Sequence, residues 1–149
     1  MTLNEARKAA KGFRDRWNDN IKRYRAGALD DAAFHAAQRE ADRDRDALKA
    51  RLLDDPESAA FVCDKTVTFQ ADKRYGLDGN HTLGHELGAT FPDGENDSES
   101  GQGFFYVPAA RVAAVLAHLS GGRANHVHVG DTYGLTLSKC EPAPALSAG

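Results

Sequence analysis

The stretch TLNEARKAAKGFRDRWNDNIKRYRAGAL, residues 2–29, decides how the chain begins to fold. Thr2 and Glu5 have the spacing of a capping box at a helix start, and Gly27 suits the left-handed residue that ends a helix. Between them the apolar residues recur at steps of three and four, which places them in one stripe along a helix. The stripe consists of Leu3, Ala6, Ala10, Phe13, Trp17, Ile21 and Tyr24. We therefore predict a long first helix whose whole stripe, including Trp17 and Tyr24, faces the core.

A second helix is predicted over residues 31–54, directly after a short turn and with Asp30 as a favourable N-cap. Helices joined by so short a turn pack antiparallel. Residues 2–26 hold eight basic and three acidic residues, a net charge of +5, whereas residues 31–54 hold five basic and six acidic residues, a net charge of −1. We therefore expect residues 1–55 to form a helical hairpin that serves oligomerisation or docking.

Beyond the hairpin the sequence predicts short strands and one main helix. Segments rich in β-branched and aromatic residues alternate with segments rich in turn formers. The predicted elements are strands at 61–69 and 103–107, a short helix at 81–88, a mobile loop at 92–103, the main helix after Pro108, and a hairpin of 125–129 with 133–138. The predicted fold class is α+β: an N-terminal antiparallel helical hairpin followed by a small mixed α+β module with about four strands and one main helix. The module spans residues 56–141, and residues 142–149 are expected to form a flexible tail.

Length and composition limit the classes of protein to consider. With 149 residues and 41% hydrophobic residues, the chain is long enough for one domain with its own core. A net charge of −3 argues against a dedicated nucleic-acid coat, and no apolar run or signal-peptide core points to a membrane. Cys63 and Cys140 are too few for a disulfide-stapled secreted fold. We expect a cytoplasmic protein with reduced thiols, and the composition favours a bacterial or phage origin.

Two histidine pairs are the candidates for a functional site. His81 and His85 are one helical turn apart, and Glu86 follows directly. Zinc-peptidase helices have two histidines with this spacing and a glutamate beside the metal-bound water. The pattern is incomplete, because Ala89 occupies the position that a second histidine would take after His85 and Glu86. The hypotheses left for this pair are a non-catalytic metal site or a polar segment with exposed histidines.

The second pair, His126 and His128, flanks Val127 in a predicted strand, where alternate side chains share one face. Over these three residues the triplet resembles the histidine-hydrophobe-histidine strand of the HUH nucleases. The resemblance implies that both imidazoles bind a divalent ion that polarises a scissile phosphate. It also implies a nucleophilic tyrosine, for which Tyr133 is the nearest candidate. The structural alternative is a solvent-facing strand whose histidines point outward while Val127 and Val129 face the core.

A composite site is a third hypothesis, because the predicted hairpin would bring the second histidine pair close to the first. Nitrogen and carboxylate ligands of this kind suit zinc or another divalent transition metal. The candidate ligands are His81, His85, Glu86, His126, His128 and Asp131. Asp131 lies in the turn of the predicted hairpin, where aspartate is more often a turn former than a ligand. His118, near the end of the main helix, is expected to interact with that helix terminus.

Two functions follow from these patterns. The first is a non-enzymatic binding or interaction protein that forms a homodimer through its helices and recognises a protein or small ligand on the α+β module. The alternative is a small metal-dependent hydrolase or nuclease that uses His126 and His128 with His81, His85 or Glu86. We favour the first, because no catalytic set is complete in the sequence. An anionic partner would meet the basic first helix first, but the aromatic residues of that helix belong to its apolar stripe. Nucleic acid is therefore not the expected ligand, and no membrane partner is expected.

Overall fold

The computed structural model describes residues 1–140, so the tail predicted at 142–149 lies outside the described residues. Two long helices open the chain, and both begin with the predicted side-chain caps, at Thr2 and Asp30. Their bounds are Leu3–Arg25 for α1 and Asp31–Asp54 for α2. Gly27 follows α1 with a φ of 77°, the left-handed conformation expected of a residue that ends a helix.

The two helices are antiparallel and meet along a narrow seam. Near its middle, the side-chain amide of Asn20 donates to the side-chain oxygen of Gln38 at 2.9 Å, and both side chains are buried. Near the turn, the rings of Tyr24 and Phe34 stack with their centroids 4.4 Å apart. The prediction that Trp17 and Tyr24 lie in the core is wrong, since Trp17 is 37% and Tyr24 38% exposed. Two helices alone cannot enclose large side chains at the rim of their seam.

The rest of the described chain forms the α+β module, a four-stranded antiparallel sheet with helices packed on one face. Its elements are α3 (Pro56–Ala59), β1 (Lys65–Ala71), α4 (Gly79–Thr90), β2 (Glu95–Asn96), β3 (Gly103–Val107), α5 (Val112–Leu119) and β4 (Ala124–Asp131). The strand order is β2-β3-β1-β4. From β1 onward the element order is β-α-β-β-α-β, that of the split β-α-β motif. The predicted fold class is confirmed: an N-terminal antiparallel helical hairpin precedes an α+β module of four strands, on which α4 and α5 pack.

Two apolar cores hold the structure together. The first lies between the sheet and helices α4 and α5, and it contains Val67, Phe69, Leu83, Leu87, Phe91, Phe105, Val107, Val115 and Leu119. The second joins the hairpin to the module, and it contains Leu3, Ala6, Leu48, Leu52, Phe61 and Val62, with Leu135 and Leu137 packed against it. No residue of the four strands belongs to the second core in the described part of the chain. The hairpin is therefore attached beyond the end of β1 and does not form a core with either face of the sheet.

The end of the module differs from the predicted hairpin. β4 pairs with β1 and not with residues 133–138. These residues leave the sheet, and Leu137 pairs with Val62 beside the helical hairpin. The predicted pairing of 125–129 with 133–138 is therefore wrong, because Leu135 and Leu137 pack against the second core.

Three further boundaries differ from the prediction. The strand expected at 61–69 begins only at Lys65, because Phe61 belongs to the second core. The loop expected at 92–103 contains the short strand β2. The helix expected at 81–88 is longer at both ends. No helix in residues 1–140 combines the length and the apolar composition that crossing a bilayer requires.

Gly103, at the start of β3, provides a test of the first core. A methyl group at this position would overlap the ring of Phe69. We expect Gly103→Ala to lower the free energy of unfolding by about 1–3 kcal/mol, as overpacking of a core does. Gly88→Ala is the control, because a methyl group there meets nothing within 4 Å, and alanine within a helix should add about 0.5–1 kcal/mol. Denaturant unfolding followed by circular dichroism measures both values, and an unchanged stability of Gly103→Ala would contradict this packing.

Candidate functional site

The first histidine pair lies on α4, on the helical side of the sheet. His81 is half-buried and His85 is exposed. Glu86, the residue beside His85, is engaged elsewhere: one carboxylate oxygen lies 2.8 Å from Nε2 of His118 on α5, and the other accepts a hydrogen bond from the hydroxyl of Tyr75 at 3.2 Å. The carboxylate therefore links α4 to α5, and it does not form a pair with His85 that could activate a metal-bound water.

His118 lies in the last turn of α5, where an interaction with the helix terminus was predicted, and its imidazole is also part of this link. Arg123 completes the arrangement: its Nε lies 3.5 Å from the Glu86 carboxylate, and its guanidinium donates to the carbonyl of His118 at 2.9 Å. The ring of Phe91 meets the imidazole edge to face, with the centroids 6.0 Å apart. Tyr75, Glu86, His118 and Arg123 thus form one hydrogen-bonded network that holds α4, α5 and the start of β4 together.

The second histidine pair lies on β4, at an edge of the sheet, and the strand is irregular there. Thr68 pairs with His128, but Gln70 pairs with Asn125, so β4 has one more residue than β1 in this interval. The extra residue forms a β-bulge at which His126 has a φ of 53°. Among the described residues, His126 is the only one other than glycine with a positive φ. The regular alternation that would place His126 and His128 on one face is therefore interrupted.

The other residues predicted around β4 have separate environments. Val127 packs against the first core as predicted, whereas Val129 is 46% exposed. Asp131 forms an ion pair with Nζ of Lys65 at 2.6 Å. The hydrogen bond from this ammonium group, and then its charge, lower the pKa of Asp131. Tyr133, the nearest tyrosine to the histidine triplet, is 97% exposed and lies beyond the end of β4.

The composite metal site is not assembled in this structure. Within residues 1–140, no group of three or more histidine, cysteine, aspartate and glutamate side chains is placed to hold a metal ion. The two pairs are on different elements: His81 and His85 are on α4, and His128 is opposite Thr68 on the edge strand. The candidate ligands proposed from the sequence therefore do not form a zinc-binding group in this part of the chain.

The structure contains a surface that the sequence did not indicate. Side chains that alternate with the core residues of the strands lie on the face of the sheet opposite α4 and α5, which we call the open face. The open face carries Thr66, Thr68, Gln70, Phe104, Tyr106 and His128. Its middle row runs across three strands as Phe104, Thr68 and His128. The hydroxyl of Tyr106 donates to Asp97 at 3.1 Å, and burial, followed by this bond, raises the pKa of Tyr106.

A second feature is a cleft between α1 and the segment that follows β4, which we call the basic cleft. Its volume is about 760 Å³, and its charged lining residues are Arg7, Lys8, Lys11, Arg14, Lys139 and Glu95. Arg7 donates to the carbonyl of Ser138 at 2.7 Å, which holds α1 against this segment. The positive charge of the first helix was evident from the sequence. The opposite wall, formed by Glu95 and residues 135–139, is evident only from the tertiary structure.

Comparisons of the chain with protein-family models, with curated proteins and with solved structures gave no significant match.

The two cysteines, distant in sequence, approach the same turn. Sγ of Cys63 donates to the carbonyl of Asp93 at 3.4 Å, and Sγ of Cys140 donates to the carbonyl of Pro92 at 3.1 Å. Both thiols are free. Burial, with the charge of Asp93 as a further cause, raises the pKa of Cys63 to about 12, whereas Cys140 is only half-buried.

We expect a thiol reagent such as DTNB at pH 8 to modify Cys140 in the native protein and Cys63 only after unfolding, because the thiolate is the reactive form. Absorbance at the wavelength of the released thiolate counts the thiols modified. Cys140→Ser should abolish the native reaction, and Cys63→Ser should leave it unchanged. Rapid modification of both thiols in the folded wild type would contradict the burial of Cys63.

The bulge at His126 gives another test. A residue with a side chain in the left-handed region is strained by about 1–2 kcal/mol, and glycine is not. His126→Gly should therefore raise the free energy of unfolding by about 0.5–1 kcal/mol, whereas His128→Gly, in regular strand backbone, should lower it by a similar amount. Denaturant titration of the two variants measures both free energies of unfolding, and equal destabilisation by both would exclude strain at His126.

Proposed function

We propose that this chain is a non-enzymatic binding protein that self-associates through its helical hairpin and recognises a partner on the α+β module. The observation that carries this proposal is the incomplete burial of the distal half of the hairpin, residues 14–44. In this segment only Asn20, Gln38 and Ala41 are buried. Four larger apolar side chains beside them stay partly or largely accessible: Trp17, Ile21, Tyr24 and Phe34.

A second copy of the same hairpin is the occupant that we propose for this surface. Two helices enclose one seam, and two hairpins related by a two-fold axis form a four-helix bundle that covers the rims of both seams. A groove of about 240 Å³ beside the seam can take a side chain of the second copy. Its lining residues are Phe13, Arg14, Trp17, Ala41, Asp42 and Arg45.

The charges of the two helices are compatible with such a pairing. The +5 segment that contains α1 and the −1 segment that forms α2 attract each other within a hairpin and, in a two-fold arrangement, between hairpins. The ion pair of Arg16 with Asp44, at 2.9 Å, shows this attraction across the seam of one chain. The hydrogen bond between Asn20 and Gln38 is the kind of buried polar pair that specifies the register of packed helices.

The module supplies the proposed recognition surface. The open face combines aromatic rings with hydroxyl, amide and imidazole groups, a composition suited to a ligand with both planar and polar parts. The enzymatic alternative, a metal-dependent hydrolase or nuclease, requires His126 and His128 to meet His81, His85 or Glu86. The described residues do not bring these side chains into one metal-binding group, so no observation favours that function.

Light scattering tests the self-association. The wild type should have about twice the monomer mass of 16.1 kDa, and Ile21→Asp should lower this mass, because a carboxylate would be buried between the hairpins. Asn18→Asp is the matched control: it adds the same charge on an exposed position of α1 outside the apolar stripe, and the mass should not change. Circular dichroism establishes that both variants remain helical. A wild type that is monomeric throughout the concentration range would refute self-association.

A further inference from the structure

We propose that the basic cleft and the open face together bind a single-stranded nucleic acid, with phosphates in the cleft and bases on the aromatic rings of the sheet. This inference rests on the proposed function in one respect, because it names the ligand of the recognition surface. It does not depend on self-association.

The basic cleft has the charge and dimensions for a phosphate backbone. Arg7, Lys11 and Arg14 follow one another at steps of four and three along α1, so they span about 10 Å on one side of the helix. Lys11 forms an exposed ion pair with Asp15 at 2.9 Å, whereas within residues 1–140 neither Lys8, Arg14 nor Lys139 forms one. Cations that line a cleft and have no carboxylate partner attract an anionic ligand by counterion release.

The open face has the chemistry that unpaired bases require. Phe104 and Tyr106 are two residues apart on β3, so their side chains lie on one face and their backbone positions are about 6.6–6.8 Å apart along the strand. His128 adds a third planar ring at the other end of the Phe104 row. Thr68 and Gln70 on β1 supply hydrogen-bonding groups between and beside the rings. Stacking on such rings together with bonds to polar side chains is how sheets recognise single strands.

Glu95 makes the two surfaces continuous. It is paired with Tyr106 in the ladder of β2 and β3, and it also lines the basic cleft. A strand whose bases stack on the open face therefore reaches the cations of α1 by passing this residue. A duplex hides its base faces, and an acidic peptide has no regular series of planar groups. A single strand is the polyanion that satisfies both surfaces.

The same position places a negative charge at the junction. The carboxylate of Glu95 repels a phosphate group there, and Asp97, which accepts the hydrogen bond of Tyr106, is close by in the chain. The carboxylates therefore direct the backbone toward α1 and away from the β2 edge. This leads to an unusual expectation, that removing the charge of Glu95 improves binding.

Fluorescence anisotropy with labelled single-stranded DNA and RNA of about 10 nucleotides tests the proposal on the full chain. The wild type should bind, and the affinity should fall as salt is added. Arg14→Gln should weaken binding about five- to tenfold at low salt and reduce the slope of log affinity against log salt by about 0.7. Arg25→Gln, an arginine at the far end of α1 and outside the cleft, is the matched control and should leave binding unchanged. Glu95→Gln should tighten binding.

The stacking part of the proposal needs its own variant. Phe104→Leu removes the ring but keeps an apolar side chain, and it should weaken binding at least about fivefold. Tyr133→Leu removes an exposed ring outside the open face and should have no effect. Thermal unfolding shows whether either variant has lost its fold. A His128→Ala variant tests the contribution of the imidazole at the other end of the row formed by Phe104, Thr68 and His128.

Three results would overturn the inference: no binding of single strands at low salt, weaker binding by Glu95→Gln, or equal affinity for duplex DNA and heparin that Phe104→Leu does not change. Light scattering on the same samples separates the two proposals. A dimer that binds no strand refutes the nucleic-acid site alone, and a monomer that binds strands refutes self-association alone.

Discussion

The contact of Phe61 and Val62 with Leu3, Leu48 and Leu52 determines how the two parts of the molecule are placed. These side chains form a core outside the sheet, immediately before β1, so the hairpin attaches beyond one end of the strands. Burial of apolar area is the main favourable term in such packing, and it is not directional. The direction in which the hairpin is attached comes from the positions of Phe61 and Val62 in the chain. Because these residues precede β1, no helix of the hairpin covers the open face.

The same attachment creates the basic cleft. Leu135 and Leu137 pack against the second core, and they draw the segment after β4 across the sheet end toward α1. The hydrogen bond from Arg7 to the carbonyl of Ser138 then holds that segment beside the cations of the helix. A strongly charged helix face is by itself only a solvated surface. Here it becomes one wall of a cavity, because apolar residues elsewhere in the chain bring a second wall to it.

The polar residues of the module mostly serve the fold. Glu86 is bonded to Tyr75 and His118, and Asp131 is bonded to Lys65, so two carboxylates that suggested chemistry in the sequence are engaged in structural contacts. His118 is 19% exposed, and a donor or acceptor that burial leaves unsatisfied costs about 1–3 kcal/mol, whereas the ion pair of Asp131 with Lys65 lies at the surface. The chain thus uses residue types common in active sites to join helices and strands, while the groups on the open face stay accessible.

Local signals in the chain were sufficient for the helical hairpin and for the α+β class. The caps at Thr2 and Asp30, the glycine after α1 and the spacing of apolar residues act within a few residues, and the structure has each of them. The partner of β4, the bulge at His126 and the position of Glu86 depended on contacts between distant segments. Periodicity shows that residues 133–138 are partly apolar, but it does not say which apolar surface they will meet. The second core determines which apolar surface these residues meet. The same packing decides the separation of the histidine pairs, the open face and the cleft.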